Sequence, residues 1–377
     1  FITKKIEKIR YDLISVKKIN RTSSFSKLKI LHITNFNERH NGRLFFNTGR
    51  RINNGFIRLG NSVLEFSDRD IVKHYKSLND YTGSRTLNQK LINTVYNYKP
   101  DLLIFGHADL IKDNTLAYLK DNYKNLKIAQ WFLDPLVKNG PDYEKNKARI
   151  LDKIKFTDAN FITTSPDVLN FLPKENKCFF MPNPTDPSFE VLNNYQNNHC
   201  SMDVFFALSH GVHRGILKKG KYDERADFVN RLVELTPNVK FDLYGIDNVQ
   251  PIWADSFLKA ISNSKMGVNL SRGNPIKYYS SDRITQLIGN GLLTFIHKNT
   301  LYNNFFKKNE IIFYSDISDL SEKIQKYAKD DKQRKEIAKK GKLKYMKYFN
   351  STVVAEYIIN KTFDKKNKKN KYIWENK

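Results

Sequence analysis

At 377 residues the chain is too long for one ordinary hydrophobic core and suits two domains. Hydrophobic residues make up 40% of it and aromatics 13%, which excludes general disorder. Two cysteines, Cys178 and Cys200, rule out a disulfide framework, and the net charge of +26 favours anionic partners such as phosphorylated small molecules, lipid headgroups or nucleic acid.

In the first half, short apolar runs alternate with helix-like stretches. The runs are Lys29 to Ile33, Asp101 to Phe105, Lys127 to Leu133, Asn160 to Thr163 and Cys178 to Met181. Runs of this kind suit strands buried on both faces, as in parallel sheets. Between the first two, Ile52, Phe56 and Leu59 fall at helical spacing, with Gly60 as the stop. The loop Thr34 to Gly42 lacks a GxGxxG fingerprint, so a dinucleotide cofactor is not expected there, and the loop reads as acceptor-side or as an ordinary connection. Chemistry is sought just past the carboxyl ends of the strands, where doubly wound sheets bind ligands. His107 and Asp109 follow one strand, and Asp134 follows the next, immediately before Pro135. A carboxylate or imidazole placed there can take a proton from a substrate hydroxyl, which makes Asp134 the favoured catalytic residue, with His107 and Asp109 behind it. A plain turn cap is the competing role for Asp134.

Three prolines between Met181 and Pro187 cannot continue a helix or central strand, so the interdomain linker falls here. The expected division is 1–186, 187–350, and a last segment 351–377. The second half repeats the alternation, with runs Asp203 to Leu208, Val239 to Tyr244, Met266 to Leu270, Leu292 to Ile296 and Glu310 to Tyr314. Leu320, Ile324 and Tyr327 mark a helix behind a Ser318-Asp319 cap. Strand and helix alternating through both halves predict an α/β protein of two doubly wound, Rossmann-like domains facing across a cleft.

After the strand ending at Leu208 come Ser209, His210, Gly211, His213 and Arg214, a set suited to phosphate contact through backbone amides and a guanidinium. The two histidines could also bind a metal, but no third ligand accompanies them. Tyr244 and Arg272 end or follow neighbouring strands and join the same set. From Ser271 to Gly291 a polar segment opens a helix that turns into a strand. Ser281 and Asp282 at its start suit a phosphate, Arg283 adds charge, and Gln286 stands one turn on, facing a ribose.

Tyr278, Ser281, Arg283, Gln286, Gly289 and Gly291, followed by an apolar strand, resemble the donor-binding region of group 1 glycosyltransferases, in the branch resembling the spore-coat protein CgeB. The resemblance runs on through Phe305-Phe306, Glu310 to Tyr314, Asp319-Leu320 and Arg334 to Gly341, and covers about Met266 to Ile359; in the first half only Trp131 and Asp134-Pro135 are similar. It implies a GT-B fold with a final helix crossing back to the first domain, an acceptor in that domain, a nucleotide-sugar in the second, and usually no bound metal or other cofactor. Carried over, Arg283 contacts the donor phosphates and Gln286 the ribose. The family commonly has glutamate where Gln286 stands; an amide accepts only through its oxygen, which opens UDP-, GDP- and CMP-sugars alike, including CMP-Kdo.

The expected function is therefore hexosyl- or Kdo-type glycosyl transfer to a bacterial surface glycan (lipopolysaccharide, O-antigen or capsule), free or lipid-linked, at the inner face of the cytoplasmic membrane. A nucleotide-sugar epimerase or hydrolase and a non-catalytic glycan- or nucleotide-binding module are the alternatives. Nucleic acid is not expected as a partner, because no binding signature accompanies the charge. No apolar run approaches the ~20 residues of a membrane span, and the charge is spread apart from clusters at Lys4 to Lys18 and Lys365 to Lys371. The chain opens on Phe1 rather than Met, which fits part of a longer protein, so targeting information can be missing.

Overall fold

The computed structural model describes residues 27–107, 109–140, 142–208, 223–365 and 372–375, with the backbone of 212–213 and 216–217. The basic stretch at Lys4 to Lys18 lies outside the described residues, as does the tail beyond Lys365 up to 371.

The first lobe is a six-stranded parallel sheet of β1 (Lys29–Thr34), β2 (Ser62–Ser67), β3 (Leu102–Gly106), β4 (Lys127–Phe132), β5 (Ala159–Ile162) and β6 (Cys178–Phe180), in the order β2-β1-β3-β4-β5-β6. Helices α1 (Thr48–Arg58), α2 (Asp68–His74), α3 (Ser84–Tyr98), α4 (Asp113–Asn122) and α5 (Tyr143–Ile154) connect them. The strand order reverses between β1 and β3, which opens a crevice at their carboxyl ends. β2 escapes the sequence reading because it is an edge strand: Ser62, Leu64 and Glu65 are exposed, so no continuous apolar run marks it.

The second lobe begins with β7 (Met202–Ala207), a short hairpin of β8 (Val212–His213) and β9 (Ile216–Leu217), and α6 (Glu224–Leu235). It continues through β10 (Phe241–Tyr244), α7 (Ala254–Ser262), β11 (Ser264–Asn269), α8 (Arg283–Gly289), β12 (Leu293–His297), β13 (Ile312–Tyr314), α9 (Ile317–Lys329) and α10 (Asp331–Tyr348). Its sheet is parallel, in the order β10-β7-β11-β12-β13. One detail differs from expectation. The cap of α9 is Asp316, whose carboxylate accepts from the Asp319 amide, so the helix starts earlier than Ser318-Asp319. The helix α8 is short and almost wholly buried, because it sits between β11, β12 and α10.

The last helix, α11 (Ser351–Thr362), packs along α1 of the first lobe. The contact is close because Gly55 has no side chain: a Cβ there would lie 2.0 Å from the Ser351 carbonyl oxygen. Val354, Ala355, Tyr357, Ile358 and Ile359 are buried in one core with Ile52 and Phe56 of α1, and that core extends to Tyr278, Phe305 and Phe306 of the second lobe. Each fully buried side chain of this size contributes about 1.5–3 kcal/mol. Polar ties reinforce the junction. The Thr185 amide donates to the Phe349 carbonyl at 3.0 Å, the Ser351 amide donates back to the Thr185 carbonyl at 2.7 Å, and Arg58 donates to the fully buried Asp186 at 2.5 and 2.9 Å.

Candidate functional site

A cavity of about 500 Å³ lies between the lobes at the carboxyl edges of both sheets. From the first lobe it receives Asn37, His40, Arg43 and Arg51; from the second, Trp253, Phe257, Asp282, Arg283 and Gln286. The loop after β1 reaches it through a 3-10 turn, Glu38–His40, flanked by Asn37 and Asn41 with φ of 62° and 52°. Asparagine tolerates this left-handed backbone better than most residues. Asp70 pins the turn by accepting from the Glu38 and Arg39 amides at 2.8 and 3.3 Å and from the Arg39 guanidinium at 2.6 Å.

Arg283 is the most telling side chain here. It is 9% exposed and lies over the Phe206 ring, 4.8 Å from its centroid. Its guanidinium donates to the carbonyl oxygens of Leu270 and Ala207, at 2.9 Å each, and to Ser281 Oγ at 3.1 Å. All three acceptors are neutral. Burial, together with the nearby Arg225 charge, pulls its pKa down to about 10. Arg225 is already matched to Asp223 at 2.8 Å. The site thus holds a buried cation with no carboxylate bound to it, which is favourable only if an anion joins it.

The opposite wall solves the same problem internally. Arg51, 1% exposed, meets Glu190 at 2.6 Å, and Glu190 Oε2 also accepts from the Asp186 amide. Burial alone lowers the Arg51 pKa, but the Glu190 charge and hydrogen bonds outweigh it and raise it. Arg43 reaches across to Trp253, 5.6 Å from the ring centroid. The Trp253 indole nitrogen is buried with no hydrogen-bond partner.

The structure brings some expected residues to this cavity and leaves others out. Asp282, Arg283 and Gln286 line it. Ser281 lies behind Arg283, its hydroxyl donating to Asn269 and its amide already taken by Ser271 Oγ at 3.0 Å, so that amide does not face a ligand. Tyr278 is not a cleft residue: it is 2% exposed and packed between Phe180 and Phe305, because the left-handed backbone at φ 63° turns its ring into the core. Gly291 follows α8 at φ 81°, where a Cβ would strike Tyr195 at 2.9 Å, so the missing side chain lets the chain turn; it does not line the cavity. Tyr244 sits against Phe205, its phenol bonded to Asp242, away from the cavity lining. Arg272 pairs with Asp142 of the first lobe at 2.7 Å. Ser209, His210, Gly211 and Arg214 lie outside the described residues, and of His213 only the backbone is described.

His107, Asp109 and Asp134 gather into one cluster at the ends of β3 and β4. His107 Nδ1 is 3.5 Å from Asp134 Oδ2, and Arg149 bridges Asp134 at 3.4 Å and Asp109 at 2.9 Å. The His107 ring stacks flat on Phe132, its Nε2 is buried without a partner, and burial lowers its pKa despite the two carboxylates. Its φ of 54° is strained for a non-glycine residue, a feature that concentrates at functional sites. The cluster does not line the 500 Å³ cavity itself. Near both lies Tyr279, a buried phenol whose pKa is pushed up by burial and then by the charges of Asp134 and Asp282. Among the described residues no group of three His, Cys, Asp or Glu gathers as a metal site.

Sequence reasoning missed Arg51, Glu190, Trp253 and the His40–Arg43 pair. Arg51 and Glu190 stand 139 positions apart, so no local pattern joins them. Trp253, a rare aromatic just after Pro251, was the one visible signal.

Comparison with known proteins bears on the same region. Residues 224–360 match the Glycosyl transferase-like family model, a span that runs from α6 into α11. The structure is similar to HepE of Anabaena, solved with UDP-glucose, with a TM-score of 0.56 at 11% identity over 89% of this chain and 100% of that one. TarM gives 0.53 at 14% identity over 74% of this chain, which spans 58% of TarM's length; S. aureus TarM has been solved with fondaparinux, α-GlcNAc-glycerol and UDP. A Rickettsia africae glycosyltransferase gives 0.51 at 12% identity over 94% and 100%. No curated protein matches by sequence. The fold is GT-B, two Rossmann-like lobes, and the family match falls on the second lobe and the start of the last helix.

Proposed function

We propose that the protein is a glycosyltransferase whose nucleotide-sugar donor binds in the interlobe cavity with its phosphates on Arg283. The buried, carboxylate-free guanidinium at the edge of the second sheet carries this reading. A phosphate oxygen there gains a charge-assisted bond in a desolvated setting, and the same contact strengthens as the nucleotide departs. Gln286 offers its amide to the ribose, and Trp253 and Phe257 offer rings to the base or sugar. HepE's complex with UDP-glucose supports a uridine donor over GDP or CMP, hence a hexosyl rather than a Kdo-type transfer.

Proton removal from the acceptor falls to the His107–Asp134 pair. Asp134 already faces Arg149 and His107, whereas neutral His107 keeps a nitrogen free to accept. We therefore assign the base to His107 and its orientation to Asp134, with Asp109 holding Arg149 in place. The acceptor is read as a glycan of the bacterial surface, free or lipid-linked and met at the cytoplasmic membrane face, which the strong positive charge favours. No helix among the described residues is long and apolar enough to cross a membrane. In the first lobe, the similar patch around Trp131 and Asp134-Pro135 supports the CgeB-like branch.

Titration calorimetry with UDP, GDP and CMP tests the donor site. UDP should bind best, and Arg283→Ala should weaken it by at least about tenfold, the size of one charge-assisted contact. Equal binding by the variant would overturn the site. Hydrolysis or isomerisation of UDP-glucose without any acceptor, at the full rate, would overturn the transferase reading.

A further inference from the structure

Outside the cleft, a groove of about 1090 Å³ runs along the β12–β13 edge of the second lobe. It exceeds the roughly 300–1,000 Å³ usual for a small-molecule pocket. Phe313, Tyr348 and Ile373 lie half-buried in it. Lys298, Lys307 and Lys308 stand exposed along it, all on the connection between the two strands. Two further lysines there are already matched, Lys323 to Asp319 at 2.7 Å and Lys344 to Glu310 at 2.6 Å. Among the described residues, the side-chain amine of none of the three exposed lysines meets a carboxylate, although the Lys307 backbone amide donates to Glu310 at 2.7 Å.

We propose that this groove is a second binding site that takes an acidic oligosaccharide, a sugar chain bearing carboxylate, sulfate or phosphate. The three amines ask for several negative charges spread over a length, not for one compact ion. The recessed rings and Ile373 suit the apolar faces of sugar units, as aromatic side chains do when one face stays accessible. A flat lipid surface fits less well: it needs apolar side chains that project, and here the rings are recessed and only Leu301, 38% exposed, stands at the edge. A free nucleotide fits less well too, since the connection carries no buried polar group aimed into the groove. The site is independent of the donor cavity and would hold a growing or acceptor chain away from the reacting end.

The test titrates the full chain with a hexamer of galacturonic acid, with neutral maltohexaose, and with phosphatidylcholine vesicles containing phosphatidylglycerol. The wild type should bind the acidic hexamer, more weakly as salt rises, and should not bind the neutral one. The triple variant Lys298→Glu, Lys307→Glu, Lys308→Glu should weaken hexamer binding by about tenfold or more, as three surface charge contacts together allow. UDP affinity should be unchanged in that variant, and Arg283→Ala should leave hexamer binding unchanged, so this site and the donor site fail separately. Absence of hexamer binding by the wild type, equal binding by the triple variant, or vesicle binding that alone depends on the three lysines would overturn the proposal.

Discussion

Two buried guanidiniums line the interlobe cavity from opposite lobes, and they are held in opposite ways. Arg51 is closed by Glu190 at 2.6 Å, so that wall is electrically complete and belongs to the architecture. Arg283 has only carbonyl and hydroxyl oxygens, so its wall is complete only when an anion arrives. Burial by itself therefore says nothing about role; the charge of the partner does. The first lobe's His107 cluster resembles the Arg51 wall in that Asp109, Asp134 and Arg149 satisfy one another, leaving a single buried nitrogen of His107 without a hydrogen-bond partner.

The contrast can be broken by substitution. Arg51→Ala strands Glu190 and should lower stability by about 3–5 kcal/mol, read by denaturant unfolding; a loss under 1 kcal/mol would mean the pair is not the structural half of the cavity. Arg283→Ala should do the reverse, lowering turnover by about 10²–10³-fold, or roughly 2.7–4 kcal/mol of transition-state stabilisation, while costing less stability than Arg51→Ala. Steady-state kinetics beside a melting curve decide it, and the comparison collapses if both variants lose stability alike.

A third buried group sharpens the pattern. His32 is fully buried, donates from Nδ1 to Asn53 at 3.1 Å, and accepts at Nε2 from the Trp131 indole at 3.2 Å. Burial lowers its pKa from 6.5 to about 4. Protonation would turn Nε2 into a donor facing another donor. Since the folded value lies below the unfolded one, the unfolded chain binds the extra proton, and stability falls as pH drops from about 6.5 towards 4. The loss should approach about 3 kcal/mol, and a His32→Gln variant should show a flatter unfolding-versus-pH curve over that window. The smallest effect belongs to the exposed interlobe pair: Arg272→Ala should cost no more than about 1 kcal/mol, less in high salt, and a larger loss would make Arg272 a structural latch between the lobes.

Much of the frame could be read along the chain. The buried parallel strands announce themselves as apolar runs, Gly60 stops α1, and the stretch from Met266 to Ile359 placed Arg283 and Gln286 on the second lobe. Tyr278 and Gly291, expected at the donor, lie away from the cavity lining, and their place was not legible because ligand contact and core packing use the same residue types in the same short motif. Only coordinates show which way a ring turns.

Local sequence determined the elements, because strand burial and helix caps depend on residues a few positions apart. Tertiary structure alone decided which charges are paired. Arg51 finds Glu190, and His107 finds Asp134, through folds of the chain that no spacing encodes, and Arg283 stays without a carboxylate partner for the same reason. Electrostatic energy depends on distance in space and on the water excluded there, and both exist only once the lobes have closed on each other.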